Sequence, residues 1–330
     1  IISANLANAI NEHLKKSEQI ILLQNRRGYS LIQRCANCGA IKNCQRCAIA
    51  MTYHRTDNCL HCHYCEAVEN MKPVCGECAS TNVECIGSGT QRVKDVLEEQ
   101  FPGISILRMD MDTVRNKGAH EKILRKFHNA EADVLLGTQM IAKGLDFSNV
   151  SLVGIISADI GLFVPDFRSG EKTFQLIYQL IGRTGRRDKS SMAIVQSHNT
   201  DDFYIQSACN LQLEETYNRI LEDRKELNYP PFSRLIKILF LGKKEIDAKE
   251  KSQRFFSILK KNSNIQILGP SLAPIEYIAP YWRYQILIKC KKSYWQKFHT
   301  WIKNSISFSE LENQNQNIKI KIDVDPISTL

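Results

Sequence analysis

ADVLLGTQMIAKGLDFSNVSLVGIISAD, residues 132–159, sets two apolar runs around a polar, glycine-containing segment. The runs at 134–137 and 150–156 are strand-length and show no polar alternation. A strand without alternation has both faces covered, which marks a parallel sheet held between layers of helix. The same rhythm extends outward in both directions. ISILRMD (104–110) and SMAIVQS (191–197) read as further strands, AHEKILRKFHN (119–129) and EKTFQLIYQLIGRTG (171–185) as amphipathic helices. Val83 to Ile86 reads as a strand, followed by the small-residue turn GSGT (87–90) and a helix over 91–100.

Upstream, Leu6, Ile10 and Leu14 fall on one face of a helix over 4–16, and QIILLQNRRG (19–28) follows as a strand. That strand is expected in the same sheet, so the cysteine-rich stretch after it is an insertion. A helical stretch over 200–226 stops at NYPPF (228–232). The remainder alternates β-α-β-β-α-β, the order of a ferredoxin-like α+β sandwich. The expected divisions are 1–33 with 81–228 for the α/β domain, 34–80 for the insertion and 229–330 for the last domain.

Twelve cysteines occur in 330 residues, ten of them between Cys35 and Cys85. Eight form C-x-x-C pairs: Cys35/Cys38, Cys44/Cys47, Cys62/Cys65 and Cys75/Cys78. Such a turn aims two thiolates at one point, and two turns make a tetrahedral four-thiolate zinc site. Four turns make two sites. A disulfide framework needs an export context, and residues 1–20 carry no continuous apolar core of a signal peptide. A redox pair needs one turn at a helix start, and iron–sulfur clusters use other spacings. Spacing leaves open which pair joins which: sequential pairing gives separate knuckles, crossed pairing an interleaved unit. His61, His63 and Cys59 read as bystanders, and Cys85 as a small buried hydrophobe. With few apolar residues, the insertion is expected to depend on metal for its stability.

The net charge of +9, from 44 Lys and Arg against 35 Asp and Glu, suits a polyanionic partner without requiring one. No apolar run reaches membrane-spanning length, so no membrane partner is expected. The chain begins with Ile, which reads as a piece of a longer protein.

Three segments fall at expected strand or helix ends, where α/β sheets bind ligands. GSGTQ (87–91) can cradle phosphate. GTQMIAKGLDF (137–147) follows a buried strand, and QLIGRTGR (179–186) presents Arg183 and Arg186 together. Paired guanidiniums match the charge of a transferring phosphoryl group, and the two motifs in this order oppose the reading of a solvated basic turn. These segments resemble motifs IV, V and VI of superfamily 2 helicases, in the second RecA-like lobe. LLQNRRGYS, the four cysteine pairs, PDFRSGEKTFQLIYQLIGRTGR, YPPF and the closing DVDP narrow the resemblance to the primosomal protein N′ (PriA) family of replication-restart DNA helicases, over essentially the whole chain.

The resemblance implies an ATP-dependent 3′-to-5′ DNA helicase that recognises stalled forks and assembles the primosome. Arg183, Arg186 and Gln179 would meet ATP held by a first lobe, with Gly144, Asp146 and Gly182 as cofactor-binding positions: Gly182 gives close approach, and Gly144 and Asp146 lie in a segment that relays the nucleotide state. Thr90, Thr138, Gln139 and Lys143 would contact DNA. The family pairing gives Cys35, Cys38, Cys75 and Cys78 to one zinc, and Cys44, Cys47, Cys62 and Cys65 to the other. It also implies ATP and Mg²⁺, forked and single-stranded DNA, single-stranded DNA-binding protein and primosome proteins, in the bacterial cytoplasm with the nucleoid. The sequence contains no P-loop motif, so this chain alone is expected to be inactive, and a non-enzymatic zinc-ribbon nucleic-acid binder is the alternative. Gln91 stands where the family carries Glu, and Tyr281 where many relatives carry Arg. In APYWRYQILIK (279–289), Trp282 and Arg283 read either as a stacking and phosphate surface or as core positions on alternate strand faces.

Overall fold

The structure, a computed structural model, describes residues 1–24, 32–47, 49–54, 58–86, 90–110, 113–114, 118–142, 149–182, 191–305 and 318–329. Ser3 caps the first helix, α1 (Ala4–Lys15), by accepting the Leu6 N–H, and the chain turns directly into β1 (Gln19–Leu23). Every residue of β1 is buried because the strand is the centre of the main sheet.

Two short strands flank the cysteine insertion, β2 (Ile32–Cys35) and β6 (Val83–Ile86). They pair with each other in an antiparallel ribbon. Val83–Ile86 is therefore not a strand of the main sheet, and the ribbon puts residues 32–33 and 81–86 on the stalk of the insertion. The cause is local: the Arg34 guanidinium meets the Glu84 carboxylate across the ribbon, and the ladder closes the insertion at its base. Within the insertion, β3 (Thr52–His54), β4 (Cys59–His61) and β5 (Val68–Asn70) form a small antiparallel meander.

Beyond the ribbon come α2 (Thr90–Gln100), β7 (Ile106–Met109), α3 (Ala119–His128), β8 (Val134–Gly137), β9 (Val150–Ile155), α4 (Ser169–Ile181) and β10 (Met192–Val195). The sheet runs β10-β9-β1-β8-β7 and is parallel throughout. Alternate residues of β1 face opposite layers. Ile20 and Leu22 pack with Leu6 and Ile10 of α1 and Val93 and Leu97 of α2. Ile21 and Leu23 pack with Phe127 of α3 and Phe174 and Ile177 of α4. The single helical stretch expected over 200–226 is two helices, α5 (Phe203–Cys209) and α6 (Leu213–Glu226). Asp202 caps α5 through the Tyr204 and Ile205 N–H groups, and Leu211 at φ +57° breaks the run.

The last domain contains β11 (Ser233–Gly242), α7 (Glu245–Leu259), β12 (Ile265–Ile278), β13 (Tyr281–Lys291), α8 (Trp295–Ser305) and β14 (Ile318–Val324). Its antiparallel sheet runs β12-β13-β11-β14, with the first and third strands of the domain central as in ferredoxin-like sandwiches. Ile236, Ile238, Phe240, Tyr284, Ile286 and Ile288 face Phe255 of α7 and Phe298 of α8. The opposite face is covered as well. Leu235, Leu268 and Leu287 join Ile49, Met51, Leu60 and Tyr64 of the insertion in one core. The insertion thus shares an apolar core with the last sheet, which corrects the expectation that metal alone stabilises it. Among the described residues no helix is long and apolar enough to cross a membrane.

Helices α4 and α5 meet where Gly170 lies against the face of the Tyr204 ring. A methyl there has backbone behind it and an aromatic ring in front, so Gly170→Ala should cost about 1–3 kcal/mol through overpacking. Thermal unfolding measures this as a lower melting temperature.

Candidate metal centres and nucleic-acid interface

Each cysteine knuckle is a backbone device before it is a metal site. In the first, the Cys35 N–H donates to the Ala40 carbonyl and the Gly39 N–H donates to the Cys35 carbonyl, both at 2.9 Å. The third and fourth repeat this at Cys62–Ala67 and Cys75–Ser80. The closing residue sits at positive φ each time: Gly39 at +76°, Glu66 at +58° and Ala79 at +56°. The tight return points both sulfurs inward and leaves N–H groups facing them, as with the Glu77 N–H donating to Cys75 Sγ at 3.4 Å.

The structure brings Cys35, Cys38, Cys75 and Cys78 into one cluster, and Cys44, Cys47, Cys62 and Cys65 into another, with all ligand atoms of a cluster within 4.8 Å. Sulfurs stand 3.6 Å apart between Cys35 and Cys78, 3.7 Å between Cys38 and Cys75, and 3.6 Å between Cys44 and Cys65. A tetrahedral zinc with bonds of about 2.3 Å spaces its sulfurs by about 3.8 Å, so both clusters fit a zinc ion. The Cys38 N–H is the main cause holding the Cys35 thiol down at about 6, toward the thiolate that a metal requires. Neither His61, His63 nor Cys59 joins a cluster. His63 is instead buried, its Nδ1 3.0 Å from the Leu272 carbonyl.

The two clusters rest on different parts of the protein. The first abuts the main domain: a Cβ on Gly39 would lie 2.5 Å from the Asn199 nitrogen. That loop is clamped by the buried Asp159 carboxylate, which accepts the Ser197 hydroxyl and the His198 and Asn199 N–H groups. The second cluster faces the last domain. Tyr229 donates its hydroxyl to the Cys47 carbonyl at 3.2 Å, and Gln285 and Ser271 both donate to the His63 carbonyl at 2.7 Å.

All three parts meet at residues 166–172. Asp166 is fully buried, with Lys172 Nζ at 3.0 Å and the Arg168 N–H at 2.9 Å. Burial works against this charge, but Lys172 and the Arg168 N–H outweigh it and keep the carboxyl below its ordinary value. Asp166 also accepts the Thr329 N–H at 3.3 Å. Thr329 in turn meets the Tyr64 hydroxyl at 2.5 Å and takes Lys237 Nζ on its carbonyl at 2.8 Å. Phe167 stacks flat on Tyr229 with ring centres 4.2 Å apart, between the guanidinium of Arg168 and the ammonium of Lys289. Burial lowers Lys289 to about 8. PDFR carries no chemistry legible in sequence, and the structure makes it the joint of the molecule.

At the strand ends, Thr138 and Gln139 follow β8 and are half-buried, while Gln179 and Gly182 lie exposed at the C-terminal end of α4. Thr90 opens α2. Lys143, Gly144, Asp146, Arg183 and Arg186 lie outside the described residues. Sequence reading missed Gln24, directly after β1. Its N–H donates to the Gly137 carbonyl, and its buried side-chain amide has no hydrogen-bond partner among the described residues.

The β12–β13 hairpin separates two residues expected to act together. Trp282 is half-buried at the tip, 5.3 Å from the half-exposed ring of Tyr277. Arg283 points the other way: it is 7% exposed and donates Nη1 to the Ile275 carbonyl at 3.0 Å. Lys319 of β14 lies 4.9 Å from the centre of the Tyr281 ring and lowers the Tyr281 hydroxyl through their hydrogen bond. Exposed Lys319 and Tyr277 thus stand beside half-buried Tyr281 and Trp282, with Arg283 serving the hairpin itself.

Comparison with known proteins matches three family models. Residues 44–69 match the PriA DNA helicase Cys-rich region domain, 76–188 the helicase conserved C-terminal domain, and 225–327 the primosomal protein N C-terminal domain. The replication restart protein PriA of Bacillus subtilis is 43% identical over 294 residues, 88% of this chain and 36% of that protein. The PriA of Borreliella burgdorferi is 38% identical over 89% of this chain and 44% of its own length. The chain spans less than half the length of these relatives. Among solved structures, the Mss116p DEAD-box helicase domain 2 bound to an RNA duplex aligns at TM-score 0.32 and 16% identity, covering 66% of this chain and 64% of that one.

Metal analysis should find two zinc ions per chain, and Cys47→Ser should lose one of them. Asp166→Asn should destabilise the chain by about 3 kcal/mol at neutral pH, because Lys172 and Arg168 lose a buried partner. The folded carboxyl titrates below the unfolded one, so this stabilisation is present above about pH 4 and fades as pH falls through the folded value. Denaturant melts of the variant and the parent should therefore converge in acid.

Proposed function

The chain belongs to the PriA family of replication restart proteins, and from that premise we propose that it forms the second motor lobe and the fork-binding part of an ATP-dependent 3′-to-5′ DNA helicase. What carries the reading is the conjunction of two four-sulfur clusters with one parallel sheet: the clusters rise from between β1 and β6, and the GTQ and QLIGRTGR segments belong to the same domain.

In this proposal Arg183 and Arg186 approach ATP and Mg²⁺ held by the first lobe of the full-length protein and offset charge on the transferring phosphoryl group. Gln179 and Gly182, at the exposed end of α4, face the same cleft, and Gly144 and Asp146 report the nucleotide state. Thr90, Thr138, Gln139 and Lys143 line the DNA track at the strand ends. Zinc in both clusters fixes the insertion as a rigid body beside the fork. Tyr277, Trp282 and Tyr281 with Lys319 offer bases a stacking platform with a cation alongside. Single-stranded DNA-binding protein and primosome proteins are the protein partners, and the bacterial cytoplasm, at the nucleoid, is the compartment.

Arg186→Ala in the full-length protein should abolish DNA-stimulated ATP hydrolysis while forked-DNA affinity is kept. Near-parental hydrolysis would overturn the assignment. Trp282→Ala with Tyr277→Ala should weaken single-stranded DNA binding about tenfold or more, at about 1–3 kcal/mol per lost stack. Lys319→Ala should chiefly reduce the salt dependence of that binding, as loss of a phosphate contact does.

A further inference from the structure

The two cysteine clusters have the same ligand set and opposite surroundings. Cys44, Cys47 and Cys62 are at most 2% exposed and lie in the core that the insertion shares with the last sheet, beside Leu60 and Leu287. Cys65 is the half-buried member of that set. In the other cluster only Cys35 is buried, and Cys38, Cys75 and Cys78 are partly open to solvent. The chain around these three is exposed at Asn37, at 72–74 and at 76–77. The groups that face the sulfurs belong to those exposed residues: Asn37 Nδ2 stands 3.6 Å from Cys78 Sγ, and the Glu77 N–H donates to Cys75 Sγ. Thiolate ligands give up a metal by exchange, as an incoming donor arrives and one sulfur swings out. That step needs access to a sulfur and room for its loop to move, and an apolar shell denies both. The first cluster meets these conditions and the second does not.

Position gives such a release its consequence. Cys35 ends β2 and meets Cys78 from 43 residues further on, so the first cluster ties off the base of the insertion with the second enclosed between. Its Gly39 turn is also seated on the main domain. A Cβ on Gly39 would lie 2.5 Å from the Asn199 nitrogen and 2.7 Å from the His198 carbonyl carbon, so backbone rests on backbone. The far side of the insertion is held separately, by Gln285 and Ser271 on the His63 carbonyl and by the shared core. Opening the first cluster therefore frees one side of the insertion and leaves the other docked. We propose that Cys35, Cys38, Cys75 and Cys78 form a releasable zinc site that latches the insertion to the main domain, while the enclosed cluster keeps its metal. The inference rests on the two-zinc reading of the clusters and is independent of the helicase reading.

The chain with both zinc ions bound, mixed with a chromogenic zinc chelator, tests it. One equivalent should leave at least about tenfold faster than the other. Cys78→Ser should hold one zinc and show the slow phase alone. Hydrogen exchange at 197–199 should rise as the first equivalent leaves, while 49–51 and 285–287 stay protected, and added zinc should restore the protection. Gly39→Ala, which drives the turn off its seat, should raise exchange at 197–199 with both zinc ions retained, a readout that stands even if Cys78→Ser fails to fold. Two equivalents leaving at one rate overturn the proposal, as do a fast phase that survives Cys78→Ser and unchanged exchange at 197–199 after the first release. A chain that binds fewer than two zinc ions overturns the two-zinc reading and the latch with it.

Discussion

A single buried carboxylate holds the arrangement together. Asp166 has no access to water, so its charge is tolerable only while Lys172, Arg168 and the Thr329 N–H all face it. Those groups come from the main domain and from Thr329, beyond β14 of the last one. Tyr64 of the insertion is tied in through Thr329. The neighbouring Phe167–Tyr229 stack adds a flat apolar contact between cations. A polar core of this kind specifies geometry more than it adds stability, because each member is costly unless all are in place.

That joint gives the metal clusters their meaning. A zinc knuckle on a flexible stalk would sample many orientations. Here one knuckle abuts the loop clamped by Asp159, while the other cluster presses Ile49, Met51 and Tyr64 into the last sheet. The insertion bridges two domains, and whatever binds its outer surface reads an orientation set by both. The lobe that bears the proposed arginine pair and the sheet that bears the Tyr277–Trp282 platform are thereby held in register.

Much of this was legible in residue types. The apolar runs at 134–137 and 150–156 give parallel strands because nothing in them tolerates water on either face. The β-α-β-β-α-β order of the last domain followed from periodicity. The C-x-x-C turns predicted four-sulfur clusters, although only the family resemblance distinguished crossed from sequential pairing. What escaped is what depends on distant partners. Val83–Ile86 has strand composition, but nothing in it says that its mate is Ile32–Cys35. For Arg283 the alternation of strand faces left a phosphate ligand and a core position both open, and only its bond to the Ile275 carbonyl decides for the inward one. Asp166 and Thr329 are unremarkable in sequence and meet only because three parts of the chain converge.

The position of β1 has a consequence for how the chain reaches this state. Ile20 pairs with Val134 on one side and Leu152 on the other, so the central strand precedes both neighbours by the whole insertion and two helices. During synthesis β1 emerges before β8 and β9, with every residue apolar or uncharged and neither sheet neighbour yet available. Closing so long a loop costs entropy that must be met before the sheet gains anything. The clusters shorten the effective path: Cys35 and Cys78 are brought together, and the β2–β6 ribbon sets the two ends of the insertion side by side. Once the insertion has closed on itself, the central strand meets its neighbours across a shorter effective loop, and the entropy of that closure is correspondingly smaller.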